Sequence, residues 1–598
     1  LKKAIELQPD YAEAYNNLGN VYKEMEEYNQ AISVYEKAIE LNPAYYEAYN
    51  NLGAALGKNE QYEEAEKVLK QVIKSQPDFV EALNNLGSIL TYMEKYEEAK
   101  AILNRSIRIH SSNAGALSNL GNVYRKLNEY EQAVDQYKRA IQIKPNYYEA
   151  LNNMGLALTE LEKYSEAKNI LKQAIKINPK HVQAYNNLGN IHNRVKHHHK
   201  AKKYYKKVIE LDPMFWEAYN NLGNVYNYME EYNQAISFYK KTLKLNPNIS
   251  TVYYNLGNAY HHIGNMDDAI ENYKKAIDLN PDYDEAFCNM GMSLEEKGDF
   301  EGAIEKYNKV LEINPKHPGA HMNLGISYVS CGDYDSAIKN YKIAISSDIG
   351  RYNFLGGLLF ASNYSPNMSA EEIYEYYKQF DQRFGLPHKN KWKTFTQPKV
   401  PKNKLKIGYV SPDFRQHSLQ FFLLPALAHH NHDKFEIFAF AELENEDKVS
   451  QEYKSYVDHW IRTDGMKDDE LVQKIRDMEI DILVDLAGHT RNNRLTVFAQ
   501  KPAPVSLSWF IGYGYTTGLS AIDYFLTDKF MAPKGSEHLF SEKLWRLNRY
   551  ASIWIPKKNN MGEVNNLPAL SKGFITFGTL TRTIRINDRV IKAWADIL

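Results

Sequence analysis

Cysteine is nearly absent: only Cys288 and Cys331 occur in 598 residues, too few for a disulfide framework, which suggests a reducing compartment and a cytoplasmic location. No apolar run approaches the roughly eighteen residues of a membrane-spanning helix, and no signal peptide is found. Neither sign of charge dominates, with 73 Lys and Arg against 74 Asp and Glu. That balance leaves no global basic field to favour nucleic acid or an anionic membrane. What remains is ordinary soluble-protein composition, 43% hydrophobic and 25% charged, on a chain long enough for two or more domains.

The first half repeats. Gly19, Gly53, Gly87, Gly121, Gly155, Gly189, Gly223, Gly257, Gly291 and Gly325 are evenly spaced, and proline keeps the same step from Pro9 to Pro315, missing once at Ser111. One full unit carries Tyr15, Leu18, Gly19, Tyr22, Ala31, Tyr35, Ala38 and Pro43. The period and residue types resemble the tetratricopeptide repeat. Tyr15, Leu18, Gly19 and Tyr22 form one helical stripe, Gly19 and Ala31 admit a second helix at close range, and proline closes the unit. Such units stack into a solenoid with an extended concave surface. The chain opens LKKAIELQP, a half-unit without Met, and is expected to be a fragment at that end.

One position is stricter than packing requires. Asn17, Asn51, Asn85, Asn119, Asn153, Asn187, Asn221, Asn255, Asn289 and Asn323 place asparagine at the same point of every unit, off the apolar stripe. A carboxamide donates and accepts hydrogen bonds as a peptide group does, so this ladder could hold an extended polypeptide without reading its sequence closely. The alternative is that it caps or tiles the repeat surface. His197, His198 and His199 lie in a turn beside Lys196 and Lys200 with no carboxylate close by, a solvated basic turn rather than a metal site. No metal is expected anywhere in the chain.

After Ile349 the period is lost. Residues 349–403 read as two helices broken at Asn363–Met368, with Ser369 a good N-cap before Glu371 and Glu372, then a Lys- and Pro-rich link. From Lys404 strands alternate with helices: KLKIGYVS, FEIFAFAEL, DILVDLAG, VSLSWFIG and AIDYFLTD read as strands. Alternation of this kind predicts a mainly parallel sheet with helices on both faces, and ligands then bind beyond the carboxyl ends of the strands. Three polar, glycine-bearing loops fall there, Ser411–His417, Gly488–Asn492 and Gly512–Gly518, and are expected to converge on one rim.

The motifs GYVSPDFRQHS, DILVDLAGHTRNNRL, KPAPVSLSWFIGYGYTTGL and AIDYFLTD resemble the catalytic region of the SPINDLY-like and O-linked GlcNAc transferase family, glycosyltransferase family 41. That resemblance implies an all-α tetratricopeptide-repeat solenoid (1–348), the helical cap and linker (349–403), a first Rossmann-like lobe of a GT-B fold (404–561), and the start of a second, nucleotide-sugar-binding lobe (562–598), truncated after Leu598. It implies metal-independent, inverting transfer of a sugar, GlcNAc or fucose, from UDP-GlcNAc or GDP-fucose as co-substrate to Ser or Thr of proteins in the repeat groove. The asparagine ladder is similar to the one lining that groove in O-linked GlcNAc transferases.

His417 matches the family's active-site histidine, and its place before a helix favours a neutral imidazole able to accept a hydroxyl proton. A solvated pre-helix histidine is the alternative. His489, the second candidate catalytic residue, is a wall residue of the site or a structural one. Tyr513 with the Thr516-Thr517-Gly518 turn matches the glycine-rich loop facing donor sugar and acceptor, or is simply a tight turn. Asp413 and Asp485 are read as loop caps, and Asp481, where animal members carry a second histidine, receives no role. Arg582 and Arg585 precede a helix capped by Asn587 and form a candidate diphosphate site, Arg585 standing where many members have lysine. The resulting expectation is a protein O-glycosyltransferase that is inactive as the 598-residue chain alone; the alternative is a protein-binding repeat scaffold with an inactive transferase region.

Overall fold

The computed structural model describes residues 1–347, 352–395, 403–509 and 516–549, with 591–592 and 595. Tyr513, Arg582, Arg585 and Asn587, and with them all of the expected second lobe but 591–592 and 595, lie outside the described residues. The chain divides into two compact units, Leu1–Asn280 and Pro281–Leu598.

In the first unit a short helix, Lys2–Leu7, is followed by helix pairs running from Ala12–Glu24 with Tyr28–Leu41 to Ser250–His262 with Met266–Leu279. The first helix of each of these pairs has 13 residues and the second 14. The signature residues explain the pairing. Ala31, Tyr35 and Ala38 are fully buried. A Cβ placed on Gly19 would lie 2.5 Å from the Tyr35 ring, and one on Gly53 2.6 Å from Cγ of Leu69. The repeat glycine thus leaves a slot filled by the tyrosine or leucine of the paired helix, more specifically than by the close approach of Ala31. First helices of successive pairs also touch one another, which places them on the inner side of the stack.

The turn inside each pair needs one residue in the left-handed region. Glu26, Glu60, Glu94, Asn128, Glu162, Lys196 and Glu230 hold φ of 57–64°, and Gly264, Gly298 and Gly332 take over in the last three units. A Cβ on Gly298 would meet open space, so only backbone preference is at stake. Gly298→Ala should therefore cost about 1 kcal/mol in urea unfolding, and Gly298→Asn less, because asparagine tolerates this region.

The second unit opens with two further pairs, Asp284–Glu296 with Phe300–Ile313 and Pro318–Cys331 with Tyr334–Ser347. The helices Tyr352–Tyr364 and Ala370–Phe380 follow, the second started by the expected Ser369–Glu372 capping box. Seven parallel strands come next: β1 (Leu405–Ser411), β2 (Phe435–Ala441), β3 (His459–Arg462), β4 (Ile482–Asp485), β5 (Val505–Ser508), β6 (Tyr524–Asp528) and β7 (Lys543–Leu547), in the order β3-β2-β1-β4-β5-β6-β7. This is the doubly wound order, whose direction of winding reverses between β1 and β4. Alternation along the strands builds two cores. Ile407, Tyr409, Ile437, Ala439 and Val484 face Leu423, Leu427 and Tyr453 on one side. On the other, Val410, Phe438, Phe440 and Leu483 share a core with Tyr341 of the last repeat and Leu358, Tyr377 and Phe380 of the two intervening helices. Among the described residues no helix is long and apolar enough to cross a membrane.

Candidate active site and repeat surface

Val410 of β1 lies beside Asp485 of β4, so the loops after these strands leave the sheet side by side at its switch point. β5 pairs with the other side of β4. The three motif loops therefore start from adjacent strands, as expected, although 510–515 are outside the described residues.

The β1 loop is firmly held. Phe414 is fully buried between Tyr453 and Trp460, with ring centroids 5.3 and 5.6 Å away. Its carbonyl accepts from Ser450 Oγ at 2.8 Å, and Asp447 accepts from the Gln416 amide at 2.6 Å. His417, beyond these anchors, keeps 44% of its side chain exposed. Its Nδ1 accepts from the Leu419 amide at 3.3 Å and lies 3.7 Å from Asp413 Oδ2. Asp413 does not cap the loop with its carboxylate, as expected from sequence, but turns toward His417 and Arg415. Burial pushes the Asp413 carboxyl up, and the neighbouring Arg415 and His417 oppose the shift.

The β4 loop is the reverse case, with its histidine turned inward. Asp485 is buried and accepts from the amides of Ala487 and Gly488 and from Ser508 Oγ, the capping role its position suggests. Burial pushes its carboxyl up despite these donors. His489 Nε2 donates to the Thr517 carbonyl at 2.7 Å, and the ring packs edge-on against Tyr377 and Phe380. Nδ1 is buried without a hydrogen-bond partner, in the wall of a cavity of about 40 Å³ shared with Asn363, Thr490 and Ser508. His417 is not among the residues lining it. Desolvation lowers the His489 pKa to about 4.

The folded state therefore resists protonating this ring, and its contribution to stability is complete above about 6.5 and lost as pH falls toward 4. His489→Gln keeps a donor for Thr517 and should flatten that part of the pH–stability profile. An unchanged slope in thermal unfolding between pH 6.5 and 4 would show that His489 does not titrate this way.

Thr516 and Thr517 line the same cavity as His489, in a turn as tight as the alternative reading allowed. Both are only 2% exposed, and both hydroxyls donate to the buried Glu542. The turn is tight because the chain closes on this carboxylate. Asp481 sits at the opposite, amino end of β4, accepting from the Lys406 amide. Three supports were not singled out from sequence: Phe414, Glu542 and Arg494. Arg494 spans the loops after β2, β3 and β4, bonding Glu442, Asp468 and the carbonyls of Thr463 and Met466. A second arginine in the motif RNNRL, and a carboxylate directly before the edge strand KLWRL, were the visible signals.

On the repeats, the ladder asparagines are not free-standing. Asn51, Asn85, Asn119 and Asn187 donate from Nδ2 to Asn16, Asn50, Asn84 and Asn152 of the preceding unit, at 2.8–3.0 Å. Asn153, Asn221 and Asn255 donate to Asn122, Asn190 and Asn224, each of which also accepts a tyrosine hydroxyl from its own unit. Asn323 points its amide at Cys288 Sγ, 3.7 Å away. Asn17 is exposed, whereas Asn187 is buried and the others, Asn289 included, are half-buried. At Asn221 the amide reaches Asn186 as well as Asn190, both at 3.2 Å.

Residues 381–563 match the family model Glycosyl transferase family 41, and tetratricopeptide-repeat models match, among other stretches, 12–45, 182–215, 216–249 and 250–283. The chain is 35% identical over 246 residues to the probable UDP-N-acetylglucosamine--peptide N-acetylglucosaminyltransferase SPINDLY of Solanum lycopersicum, covering 40% of this chain and 26% of that protein. It is 30% identical over 231 residues to the probable UDP-N-acetylglucosamine--peptide N-acetylglucosaminyltransferase SEC of Arabidopsis thaliana, covering 36% and 23%. The chain thus spans about a quarter of the length of these curated relatives. Among solved structures, a mutant of the Thermobaculum terrenum O-GlcNAc transferase aligns with a TM-score of 0.50 and 26% identity, over 58% of this chain and 66% of that one.

Proposed function

Because this chain is a SPINDLY-like protein, with a glycosyl transferase family 41 region behind tetratricopeptide repeats, we propose that the protein transfers a sugar from a nucleotide-sugar donor to Ser or Thr hydroxyls of other proteins. The observation that carries the reading is the placement of the family's motif loops on β1 and β4, at the point where the sheet reverses its winding. GlcNAc and fucose are the candidate sugars, carried by UDP-GlcNAc or GDP-fucose, and the cytoplasm is the expected place of action. Arg582, Arg585 and Tyr513 remain the proposed donor contacts.

In this reaction the acceptor oxygen attacks the anomeric carbon, the bond from that carbon to the diphosphate breaks, and the hydroxyl proton leaves. His417 is the proposed proton acceptor. With Nδ1 accepting from Leu419, the neutral ring carries its hydrogen on Nε2 and cannot accept there. A small swing of the ring moves Nδ1–H toward Asp413 and frees the Nε2 lone pair, so Asp413 selects the reactive tautomer. His489 holds the Thr517 carbonyl, and its poorly basic, enclosed ring suits a wall rather than a proton carrier.

The ladder's remaining amide hydrogens and carbonyls support a role in holding extended Ser/Thr-containing segments along the first helices. The test is incubation of the complete gene product with labelled UDP-GlcNAc and, separately, GDP-fucose in a protein lysate. Transfer from one donor is expected, lost in His417→Ala and reduced in Asp413→Asn. Transfer from neither donor would leave the protein-binding scaffold as the reading.

A further inference from the structure

We propose that Glu542 is a positioning residue of this site: its carboxylate sets the turn Thr516–Gly518 against the β4 loop, and only an anion fits the place it occupies. This inference rests on the proposed transfer for its consequence, but not for its geometry. Glu542 lies just before β7, at the neighbouring strand position to β6, and is 5% exposed. Its Oε2 accepts from Thr516 Oγ1 at 2.5 Å, and its Oε1 accepts from the Thr517 amide at 2.8 Å and from the Thr517 hydroxyl.

The direction of these bonds is forced. Thr516 Oγ1 already accepts from two amides, Gly518 at 3.0 Å and Ser541 at 3.1 Å, which uses both of its lone pairs. Its hydrogen must therefore be donated, and the partner must be an acceptor. At the other oxygen the Thr517 amide hydrogen needs an acceptor too, because an amide nitrogen has nothing else to offer. Both oxygens of residue 542 thus face groups that can only donate. A carboxylate satisfies them; a glutamine of the same shape cannot in either orientation, since its NH₂ meets Thr516 in one and the Thr517 amide in the other. Burial pushes the Glu542 carboxyl up, and the donors on both oxygens oppose that shift.

The clamp reaches the site through Thr517. Its carbonyl receives His489 Nε2, and its hydroxyl also accepts from the Leu519 amide at 3.2 Å. Glu542 therefore grips one face of the turn while the β4 loop grips the other, and the wall of the cavity beside Thr490 and Ser508 is fixed between them.

Two substitutions in the complete gene product separate an anionic clamp from simple packing. E542Q keeps size and loses the charge; E542D keeps the charge and loses a methylene. The clamp predicts at least a tenfold fall in kcat for E542Q with partial recovery in E542D, whereas packing alone predicts the opposite order. Hydrogen exchange of the Gly518 and Leu519 amides reads the same contrast without any substrate, with at least tenfold faster exchange in E542Q than in wild type. Should wild type show no transfer, the function is wrong while the exchange data still decide the clamp. Wild-type protection of these amides in E542Q, or a more active E542Q than E542D, overturns it; if E542Q does not fold, exchange faster than wild type by over a hundredfold in E542D does so.

Discussion

Arg494→Ala is expected to destabilise the α/β unit by about 3–5 kcal/mol, read as a shift of the urea midpoint. The guanidinium is 14% exposed and makes a two-pronged pair with Glu442, at 3.0 and 2.9 Å, and a single bond to Asp468 at 2.7 Å. Two backbone carbonyls, of Thr463 and Met466, share Nη2 with Glu442. Truncation leaves Glu442, itself 16% exposed, without its counter-charge, together with two carbonyls that had faced a cation. The loss is larger than the pair's own net attraction, because the residual charge stays out of water. Arg494→Lys should recover only part of it, since one ammonium cannot reproduce a planar fork aimed at two carboxylates and two carbonyls. A change below about 1 kcal/mol would mean that the group behaves as an exposed surface pair. The loops after β2, β3 and β4 should loosen together, so His489 and Thr490 should lose exchange protection along with Thr463.

How much of this was legible in the sequence follows from where each element sits. The strands β1, β2, β4, β5 and β6 stood out because central parallel strands are buried on both faces and read as apolar runs. HWIR and KLWRL did not, and the structure puts them at the two edges of the sheet, β3 and β7, where strands are short and carry charge. The asparagine ladder was visible as an identity in every unit, yet its partner was not. That partner is in many units the asparagine one position earlier, in the preceding unit, and only the stacking of helices brings the two together. Thr516 and Thr517 show the other limit. Composition marks a turn, but whether its hydroxyls face a ligand or the core depends on Glu542, which the fold brings beneath them. Asp413 likewise could cap its own loop or face its neighbours, and a rotamer decides between the two.

Gly518→Ala should cost about 3–5 kcal/mol, the sum of a left-handed backbone and an overpacked contact. Gly518 has φ of +80°, close to the +81° of Gly298, so the backbone part of the penalty is common to both positions. What differs is the space around the added methyl. At Gly298 it meets nothing, whereas at Gly518 it would stand 2.6 Å from the carbonyl oxygen and 3.0 Å from the carbonyl carbon of Tyr377. That carbonyl cannot swing aside, because it accepts from the Asp381 amide at the end of the helix Ala370–Phe380. Either the helix or the turn must therefore move by several tenths of an ångström. The turn is the side that yields at greater functional cost, since it carries the Glu542 bonds and the His489 contact to Thr517. The difference between the two alanine variants isolates the steric part, expected at about 2 kcal/mol or more, with transfer reduced only in Gly518→Ala. Equal losses at the two positions would show that the turn does not press on the helix, and that the close approach of Gly518 to Tyr377 has no part in shaping the site.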